Sequence, residues 1–355
     1  MTKNAYKVVG VMSGTSLDGI DLACCTFKKN SKWEFEINCA ETYPYSSTWR
    51  DDLRDAINLD KDSLQVLDAE YSNYLGDVVK SFMAKHHITD LDFVASHGHT
   101  VWHRPDLGYT FQIGNRQELA DTCGLKVICD FRTQDVNLGG QGAPLVPIGD
   151  KLLFQDYEFC LNLGGFANVS FEKNGERLAF DICPANLVLN YFVSERHLDF
   201  DDRGKLAASG QLHGPLLDQL NAIPFYNMAP PKSLGLEWVK EHFFPVVESY
   251  NLAMEDVLRT LVEHIAIQIS RVIKKEKTKT LITGGGAFNT FLISRIKHFS
   301  STEIVLPNPK VINFKEALIF GFLGVLRERN ETNCLKSVTG ARQDHCSGMV
   351  LKPKH

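Results

Sequence analysis

The chain has 355 residues, enough for two domains with hydrophobic cores, and its 44% hydrophobic and 23% charged residues are typical of a globular protein. The net charge is −5 without any long basic run, which argues against nucleic acid as a partner. No apolar run approaches the roughly 18 residues of a membrane span, and we expect no signal peptide. Nine cysteines without CxxC spacing favour a reduced, cytoplasmic setting over a disulfide framework.

The first motif lies in residues 8–23, where an apolar run over 8–12 and a second one from Ile20 enclose a glycine-containing turn. This pattern predicts a strand, a turn and a second strand. Gly14 and Gly19 allow positive φ and a close approach to the backbone.

The same turn carries groups that suit a nucleotide. Hydroxyls at Thr15 and Ser16, beside exposed backbone N–H groups, suit phosphate oxygens. The carboxylate of Asp18 beside this turn suits the Mg²⁺ that accompanies a nucleotide, and Asp21 follows just after it. The turn is neither a Walker A motif nor a GxGxxG motif, because no helix signal follows the glycines. An ordinary β-hairpin is the alternative interpretation.

The first half of the chain reads as an α/β pattern. The apolar periodicity predicts strands over 6–12, 20–28, 33–40, 93–96 and 127–129, a long helix over 63–86 and a short helix at 118–120. Residues 139–144 are too rich in glycine for the interior of an element, so they predict a loop and the domain boundary.

Residues 159–171 repeat the opening pattern, with Gly164 and Gly165 between two apolar runs. Two glycine-turned hairpins at corresponding places predict a duplicated α/β fold whose hairpins face each other across a cleft. Chance similarity is the alternative, since hairpins are common. Further on, the periodicity predicts helices over 254–275 and 315–326.

A second glycine segment follows the predicted strand 280–283 and precedes a helix from about residue 290. A glycine loop such as Gly284, Gly285 and Gly286 between strand and helix can seat a nucleotide at the helix N-terminus. Glycines placed there for packing alone are the alternative.

Two charged segments are further candidates for chemistry. Asp181 ends a predicted strand before a proline-bearing turn and a helix, which suits a general base, although Asp in such a place also serves as a helix N-cap. Asp130 and Arg132 flank Phe131 after a buried strand, where the guanidinium could clamp an anion or form a structural ion pair.

The histidines at positions 97, 99 and 103 suggest a metal site, but no cysteine or acidic cluster completes a ligand set. We therefore predict that His97, His99 and His103 contact a sugar or serve the structure and do not bind zinc. A Ser-His-Asp hydrolase is not supported, because no serine lies on a G-x-S-x-G elbow.

Taken together, these motifs resemble the anhydro-N-acetylmuramic acid kinase family of the sugar kinase/Hsp70/actin superfamily. They occur in the family's order and cover nearly the whole chain. The matching stretches are GVMSGTSLDGIDLA (10–23), SHGHTVWH (96–103), DFRTQD (130–135), GGQGAPLVP (139–147), NLGGFANVSF (162–171), FDICPANLVLN (180–190), FDDRGKLAASG (200–210), PPKSLG (230–235), TGGGAFN (283–289), FKEALIFGFL (314–323) and SVTGA (337–341).

The resemblance implies an α/β fold with two ribonuclease-H-like, actin-like ATPase domains around a central cleft. The expected N-terminal domain covers residues 1–145, with the segment from about 330 to 355 packing back on it. The expected C-terminal domain covers residues 146–329. The resemblance leaves the oligomeric state open, with a homodimer as one option.

The resemblance also assigns roles to individual positions. It implies that Asp181 is the catalytic base, that Asp18 helps to hold Mg²⁺, and that His97, Arg132 and Glu316 line the sugar site. The implied ATP-binding positions are Gly14, Thr15, Ser16, Leu17, Asp18, Gly19, Ile20 and Asp21 in the phosphate turn, Gly164 and Gly165 in the second phosphate hairpin, and Gly284, Gly285 and Gly286 in the adenosine segment.

The implied activity is an ATP- and Mg²⁺-dependent kinase of cell-wall recycling. It would open the 1,6-anhydro ring of anhydro-N-acetylmuramic acid with water and phosphorylate O6, giving N-acetylmuramic acid 6-phosphate. The alternatives are another sugar kinase or phosphatase of the superfamily, a chaperone-type ATPase, or a metal hydrolase built on the His97 cluster. The family usually reads FDTGPGN where this chain has Ile182, Cys183 and Ala185, a departure that bears on rate and sugar preference.

Overall fold

The structure is a computed structural model that describes residues 3–14 and 17–354. The chain forms two compact units. The first unit comprises Met1–Leu153 and Phe314–His355, and the second comprises Phe154–Asn313.

The described residues form strands and helices. The strands are β1 (Ala5–Ser13), β2 (Gly19–Lys29), β3 (Trp33–Pro44), β4 (Phe93–Ser96), β5 (His99–Arg104), β6 (Tyr109–Ile113), β7 (Val127–Cys129), β8 (Phe159–Leu163), β9 (Phe166–Lys173), β10 (Glu176–Pro184), β11 (Lys279–Thr283), β12 (Glu303–Val305) and β13 (Met349–Leu351). The helices are α1 (Ser47–Asp55), α2 (Lys61–Lys85), α3 (Gln117–Cys123), α4 (Thr133–Asn137), α5 (Val146–Leu153), α6 (Asn186–Ser194), α7 (Lys205–Ser209), α8 (Gly214–Asn221), α9 (Leu236–Trp238), α10 (Phe244–Glu248), α11 (Met254–Val272), α12 (Thr290–Phe299), α13 (Pro309–Glu328) and α14 (Lys336–Thr339).

The first unit is built on a sheet in the order β13-β7-β4-β1-β2-β3. Strands β1, β2 and β3 are antiparallel neighbours, whereas β4 runs parallel to β1 and β7 parallel to β4. Successive side chains of a strand point to opposite faces, so β1 serves two layers. Val9 and Val11 pack with Tyr71 and Leu75 of α2 on one face.

The opposite face of β1 packs against α13. A Cβ atom at Gly10 would lie 1.9 Å from the carbonyl oxygen of Ala317, and Gly321 lies against Val8. The glycine at position 10 is therefore required by the close approach of helix and strand.

The second unit repeats this topology in a sheet with the order β10-β9-β8-β11-β12. Strands β8, β9 and β10 are antiparallel neighbours, and β11 and β12 continue the sheet in parallel from β8. In sequence order both sheets place the third, second, first, fourth and fifth strands side by side. This shared arrangement confirms the predicted duplication and the ribonuclease-H-like, α/β fold of each half.

The unit boundaries differ from the predicted domains 1–145 and 146–329, because residues 146–153 and 314–329 lie in the first unit. The physical reason is the packing of α13 on β1, together with the contact between Gly149 of α5 and Ile319 of α13. The division falls inside α13 at Phe314, whose φ of −116° and ψ of 18° are not helical. The predicted central cleft stays a prediction.

Most predicted elements are confirmed within a few residues. The predicted long helix 63–86 is α2, the helix 254–275 is α11, and the helix 315–326 lies within α13. Across residues 3–14 and 17–354, no helix combines the length and the apolar character needed to cross a membrane.

Candidate functional site

The turn between β1 and β2 holds the first group of predicted site residues. Thr15 and Ser16 lie outside the described residues. The backbone N–H of Leu17 donates to the carbonyl oxygen of Gly14 at 3.4 Å, and Leu17 has a φ of 61°. A non-glycine residue in the left-handed region marks a tightly constrained turn.

Gly19 and Ile20 both serve the packing of this turn. Gly19 does not adopt positive φ, and a Cβ atom there would lie 2.5 Å from the carbonyl oxygen of Tyr43. A side chain at position 19 would therefore clash with β3, so the pairing of β2 with β3 requires a glycine there. The side chain of Ile20 is fully buried in the core of the first unit, so Ile20 offers only its backbone to a nucleotide.

The two carboxylates of the turn differ in environment. Asp18 is exposed, whereas Asp21 is half-buried on β2 and accepts a hydrogen bond from Oγ1 of Thr42 at 2.5 Å. Burial is the main cause that raises the pKa of Asp21, and the charge of Asp18 acts in the same direction. Two carboxylates that repel each other in this way suit a bound cation, which would relieve the repulsion.

The sugar-site candidates of the first unit lie together. Nε of Arg132 donates to Nε2 of His97 at 2.8 Å, and Nδ1 of His97 donates to the carbonyl oxygen of Gly98 at 2.8 Å. Burial and the charge of Arg132 lower the pKa of His97 well below its usual value, so the ring is neutral. Glu316 is also close enough for its charge to act on Arg132.

Arg132 is held by one further contact, from Nη1 to the carbonyl oxygen of Gly142 at 2.6 Å. Within the described residues, its Nη2 group makes no hydrogen bond. Burial lowers the pKa of Arg132 to about 10, which leaves it charged at neutral pH. Arg132 is therefore a cation with fixed geometry and with donors available to a ligand. The alternative of a structural ion pair is not supported, because no carboxylate among the described residues lies within ion-pair distance of Arg132.

Glu316 retains solvent access at its position on α13. Desolvation by the surrounding protein raises the pKa of Glu316, Arg132 acts in the opposite direction, and the charge of Asp21 adds to the rise. The structure thus places both Asp21 and Arg132 within electrostatic reach of Glu316. These residues come from three segments that are distant in the sequence.

The other two histidines of the motif point to different surroundings. Nδ1 of His103 lies 3.1 Å from Oγ1 of Thr110, and His99 packs against the ring of Tyr71. Both ring nitrogens of His97 are already used by Arg132 and Gly98, so His97 has no lone pair left for a metal. The alternative of a metal hydrolase on these histidines is therefore not supported.

In the second unit, the turn of Gly164 and Gly165 joins β8 to β9 and caps helix α6. The carbonyl oxygen of Gly165 accepts from the N–H groups of Ala185 and Leu187, and that of Gly164 accepts from the N–H of Asn186. These contacts use the N–H groups of Asn186 and Leu187, the first two residues of α6.

The segment Gly284–Gly286 packs directly against the end of β8. Gly284 has a φ of 82°, and a Cβ atom there would lie 2.6 Å from Oδ1 of Asn162. A Cβ atom at Gly286 would lie 2.7 Å from Cβ of Leu163, whereas one at Gly285 would meet nothing closer than 3.8 Å. Packing therefore accounts for two of these glycines, and Gly285 leaves its backbone open. The structure brings the two glycine segments of this unit together.

Asp181 lies within β10, which continues to Pro184, and so the prediction that it ends the strand is wrong. The register of β10 against β9 shifts between Asp181 and Cys183, and this bulge re-aims the side chains around it. The interpretation as a helix N-cap is also wrong. Helix α6 begins after Ala185, and no side chain caps it.

Asp181 is half-buried, and burial raises its pKa. Its Oδ2 accepts a hydrogen bond from the backbone N–H of Leu234 at 2.8 Å, and its own N–H donates to the carbonyl oxygen of Lys232 at 3.1 Å. Such a carboxylate is held in one orientation and binds a proton more tightly than an exposed aspartate. Both properties suit a general base.

Sequence reasoning missed the role of the loop 230–235 in orienting Asp181. Nζ of Lys232 donates to the carbonyl oxygen of Phe225 at 3.0 Å and lies over the Phe225 ring, which anchors this loop. Sequence reasoning also missed Ser13, whose Oγ donates to the carbonyl oxygen of Gly98 at 2.7 Å beside His97. The PPKSLG motif was the one available signal for the loop.

Comparisons with known proteins identify the family of the chain. Residues 6–353 match the family model described as anhydro-N-acetylmuramic acid kinase. A relative of that name from Actinobacillus pleuropneumoniae serotype 7 (strain AP76) is 34% identical over 382 residues, covering 100% of both chains. Another from Sulfurovum sp. (strain NBC37-1) is 33% identical over 368 residues, covering 98% of this chain and 99% of the relative. The chain therefore belongs to the anhydro-N-acetylmuramic acid kinase family.

Proposed function

We propose that this chain opens the 1,6-anhydro ring of anhydro-N-acetylmuramic acid with water and transfers the γ-phosphoryl group of ATP to O6. The product is N-acetylmuramic acid 6-phosphate. Beyond family membership, the observation that carries this proposal is Asp181, an oriented, half-buried carboxylate with a raised pKa in the second unit.

Asp181 acts in this proposal as the base for ring opening. It removes a proton from a water molecule whose oxygen bonds to C1, while the bond between C1 and O6 breaks. The electron pair of that bond stays on O6, which then bonds to the γ-phosphorus as ADP leaves. The proton of the water is held on Asp181, and Oδ2 keeps its contact with the N–H of Leu234.

The glycine segments and the β1–β2 turn are the proposed ATP-binding elements. Bound ATP supplies the phosphoryl group, and Mg²⁺ neutralises charge on its phosphates. Asp18, with Asp21 beside it, would hold Mg²⁺, in keeping with the mutual repulsion of these two carboxylates. Gly14, Leu17, Gly164, Gly165 and the open backbone at Gly285 would contact the nucleotide, and Thr15, Ser16, Gly19, Ile20, Gly284 and Gly286 would complete these elements.

His97, Arg132 and Glu316 are the proposed sugar-binding residues of the first unit. Muramic acid carries a carboxylate, and the charged guanidinium of Arg132 has donors that can bind such a group. His97 positions Arg132, since it accepts the Nε hydrogen bond. Glu316 offers a carboxylate that accepts hydrogen bonds from sugar hydroxyls.

The proposal is tested by turnover in H₂¹⁸O. Incubation of the protein with MgATP and anhydro-N-acetylmuramic acid should consume ATP and sugar in equal amounts. Mass spectrometry should find one ¹⁸O in the sugar, at the C1 hydroxyl, and none in its phosphate. ATP consumption without sugar would instead favour a chaperone-type ATPase, and turnover of an ordinary hexose alone would favour another sugar kinase.

The test variant is Asp181→Asn, and its matched control is Asp218→Asn. Asp218 is an exposed residue of the same unit, on α8. Loss of both ring opening and phosphorylation in Asp181→Asn, with normal turnover in Asp218→Asn, is the expected result. Ring opening that persists in Asp181→Asn would contradict the assignment of the base.

A further inference from the structure

A second group of chemically reactive side chains lies in the first unit, apart from the proposed ATP-binding and sugar-binding residues. Asp135 of α4, Cys334 and His345 each offer one ligand atom, and these atoms all lie within 4.8 Å of one another. The three residues are only 0%, 2% and 6% exposed, respectively. An oxygen, a sulfur and a nitrogen ligand thus converge at one buried point.

Hydrogen bonds within the described residues account for only one of the two ring nitrogens of His345. Nδ1 of His345 lies 3.2 Å from the carbonyl oxygen of Gln343, and because a carbonyl only accepts, Nδ1 carries the hydrogen. Nε2 is buried without a hydrogen-bond partner among the described residues, and it lies 3.5 Å from Oδ1 of Asp135. In a neutral ring, the lone pair of Nε2 would face a carboxylate oxygen. A buried polar atom in that position calls for a cation between the two groups.

The distances suit a metal ion. With metal–nitrogen and metal–oxygen distances of about 2.0–2.1 Å, a tetrahedral site separates two such ligand atoms by about 3.3 Å. The observed separation of 3.5 Å between Nε2 of His345 and Oδ1 of Asp135 is close to that value. It is long for a direct hydrogen bond between an imidazolium and a carboxylate.

The surrounding contacts hold all three side chains in place. Oγ1 of Thr339 donates to Oδ1 of Asp135 at 2.7 Å, and the N–H of Gly142 donates to Oδ2 at 2.7 Å. Cys334 and His345 face each other across an antiparallel bridge, in which each N–H donates to the other's carbonyl oxygen at 3.1 Å. Partners that orient ligand side chains in this way are typical of protein metal sites.

We infer that Asp135, Cys334 and His345 bind one Zn²⁺ ion, with water as the fourth ligand. A thiolate, an imidazole and a carboxylate form a donor set that suits Zn²⁺. The thiol of Cys334 gives up its proton on binding, so thiolate and carboxylate together balance the charge of the ion. The ion thereby neutralises the negative charges of the thiolate and the carboxylate, each of which would be costly to bury alone.

The ion would connect the C-terminal segment to α4, the helix that begins directly after Arg132. Gly142 donates its N–H to Asp135 and accepts a hydrogen bond from Arg132 through its carbonyl oxygen. Zinc at Asp135 would therefore stabilise the backbone that positions Arg132. Its role would be structural, because the site is buried and is distinct from the proposed catalytic carboxylate of the second unit.

The test measures metal content and cobalt spectra of the full-length protein. The protein is produced with added Zn²⁺ and purified without chelator or metal resin. We expect about one zinc per chain by elemental analysis. The Co²⁺-loaded protein should show the near-ultraviolet charge-transfer band of a cobalt–thiolate bond. Cys334→Ala and His345→Gln should each lose the stoichiometric zinc, and Cys334→Ala should lose the band.

The matched controls are Cys123→Ala, at another buried cysteine of the same unit, and His103→Gln, in the histidine motif. Both should keep the zinc and the cobalt band. Wild-type protein that holds no zinc and gives no cobalt–thiolate band would overturn the inference. A band that survives Cys334→Ala would also overturn it. If Cys334→Ala fails to fold, anomalous diffraction at the zinc edge from wild-type crystals locates the ion independently.

Discussion

Nε of Arg132 donates a hydrogen bond to Nε2 of His97 over 2.8 Å. Since Nδ1 of His97 donates to Gly98, this contact fixes both the tautomer and the neutral state of the ring. His97 therefore acts as a positioning residue for Arg132. It has no free nitrogen with which to accept a proton from a substrate.

This relationship predicts the effect of Arg132→Lys. Lysine keeps the charge but cannot reproduce both the Nε bond to His97 and the Nη1 bond to Gly142. We expect the KM for the sugar to rise roughly 10- to 100-fold, the range that follows from losing a charged hydrogen bond. The KM for ATP should change little. Steady-state kinetics with each substrate varied in turn measures both.

The control for that variant is Arg116→Lys, at a half-buried arginine of the same unit that pairs with Glu118. It should leave both KM values unchanged. If Arg132→Lys left the KM for the sugar at the wild-type value, Arg132 would not bind the sugar.

Asp181→Asn separates catalysis from structure. Asparagine keeps an oxygen that accepts the N–H of Leu234, so we expect the melting temperature to stay close to that of the wild type. It cannot take up a proton, and loss of a positioned base lowers the rate by ~10²–10⁴-fold. Single-turnover kinetics beside thermal melts measures both quantities. A near-normal rate, or a loss of activity that follows a loss of stability, would assign Asp181 a structural role.

Gly284→Ala and Gly285→Ala form a matched pair within the second unit. Alanine at 284 would adopt a left-handed φ of 82° and place Cβ 2.6 Å from Oδ1 of Asn162. We expect it to lower the free energy of unfolding by more than about 1 kcal/mol. Alanine at 285 meets nothing closer than 3.8 Å, so stability should hold while the KM for ATP rises.

Denaturant unfolding and ATP kinetics of the two variants check this prediction. Unchanged ATP kinetics in Gly285→Ala would show that no nucleotide approaches the backbone there. Unchanged stability in Gly284→Ala would contradict the close packing of this segment on β8.

The raised pKa of the Asp68 carboxyl leads us to expect that the free energy of unfolding depends on pH. Its Oδ1 accepts the N–H of Gly114 at 2.7 Å, and burial raises the pKa of Asp68 to about 6. A folded-state pKa above the unfolded value means that folding takes up a proton between about pH 4 and pH 6. This contribution to stability is fully present below the unfolded pKa and is lost as the pH rises through 6.

Asp68→Asn removes the ionisation and keeps the acceptor for Gly114. We expect the variant to gain stability relative to wild type as the pH rises from 4 to 7, by roughly 2–3 kcal/mol at pH 7. Urea unfolding at several pH values measures the difference. Asp77→Asn, at an exposed residue of the same helix, should show no such gain. A constant difference between Asp68→Asn and wild type at all pH values would contradict the prediction.

The sequence by itself determined the local elements and their duplication. The apolar alternation of 8–23 and of 159–171 predicted both glycine-turned hairpins, and the helical spacing of 63–86 predicted α2. These signals are readable because side-chain periodicity and turn chemistry depend on residues only a few positions apart. The family motifs then identified the fold of each half and Asp181 as the candidate base.

Only the tertiary structure decided which distant groups meet. The partner of Asp181 is the N–H of Leu234, 53 residues later, and Thr339 contacts Asp135 across 204 residues. The assignment of residues 314–329 to the first unit follows from the contact between Ala317 and Gly10. No local pattern encodes such pairs, because they depend on how complete helices and strands pack. The convergence of Asp135, Cys334 and His345 has the same origin, since it exists only once the C-terminal segment has packed beside α4.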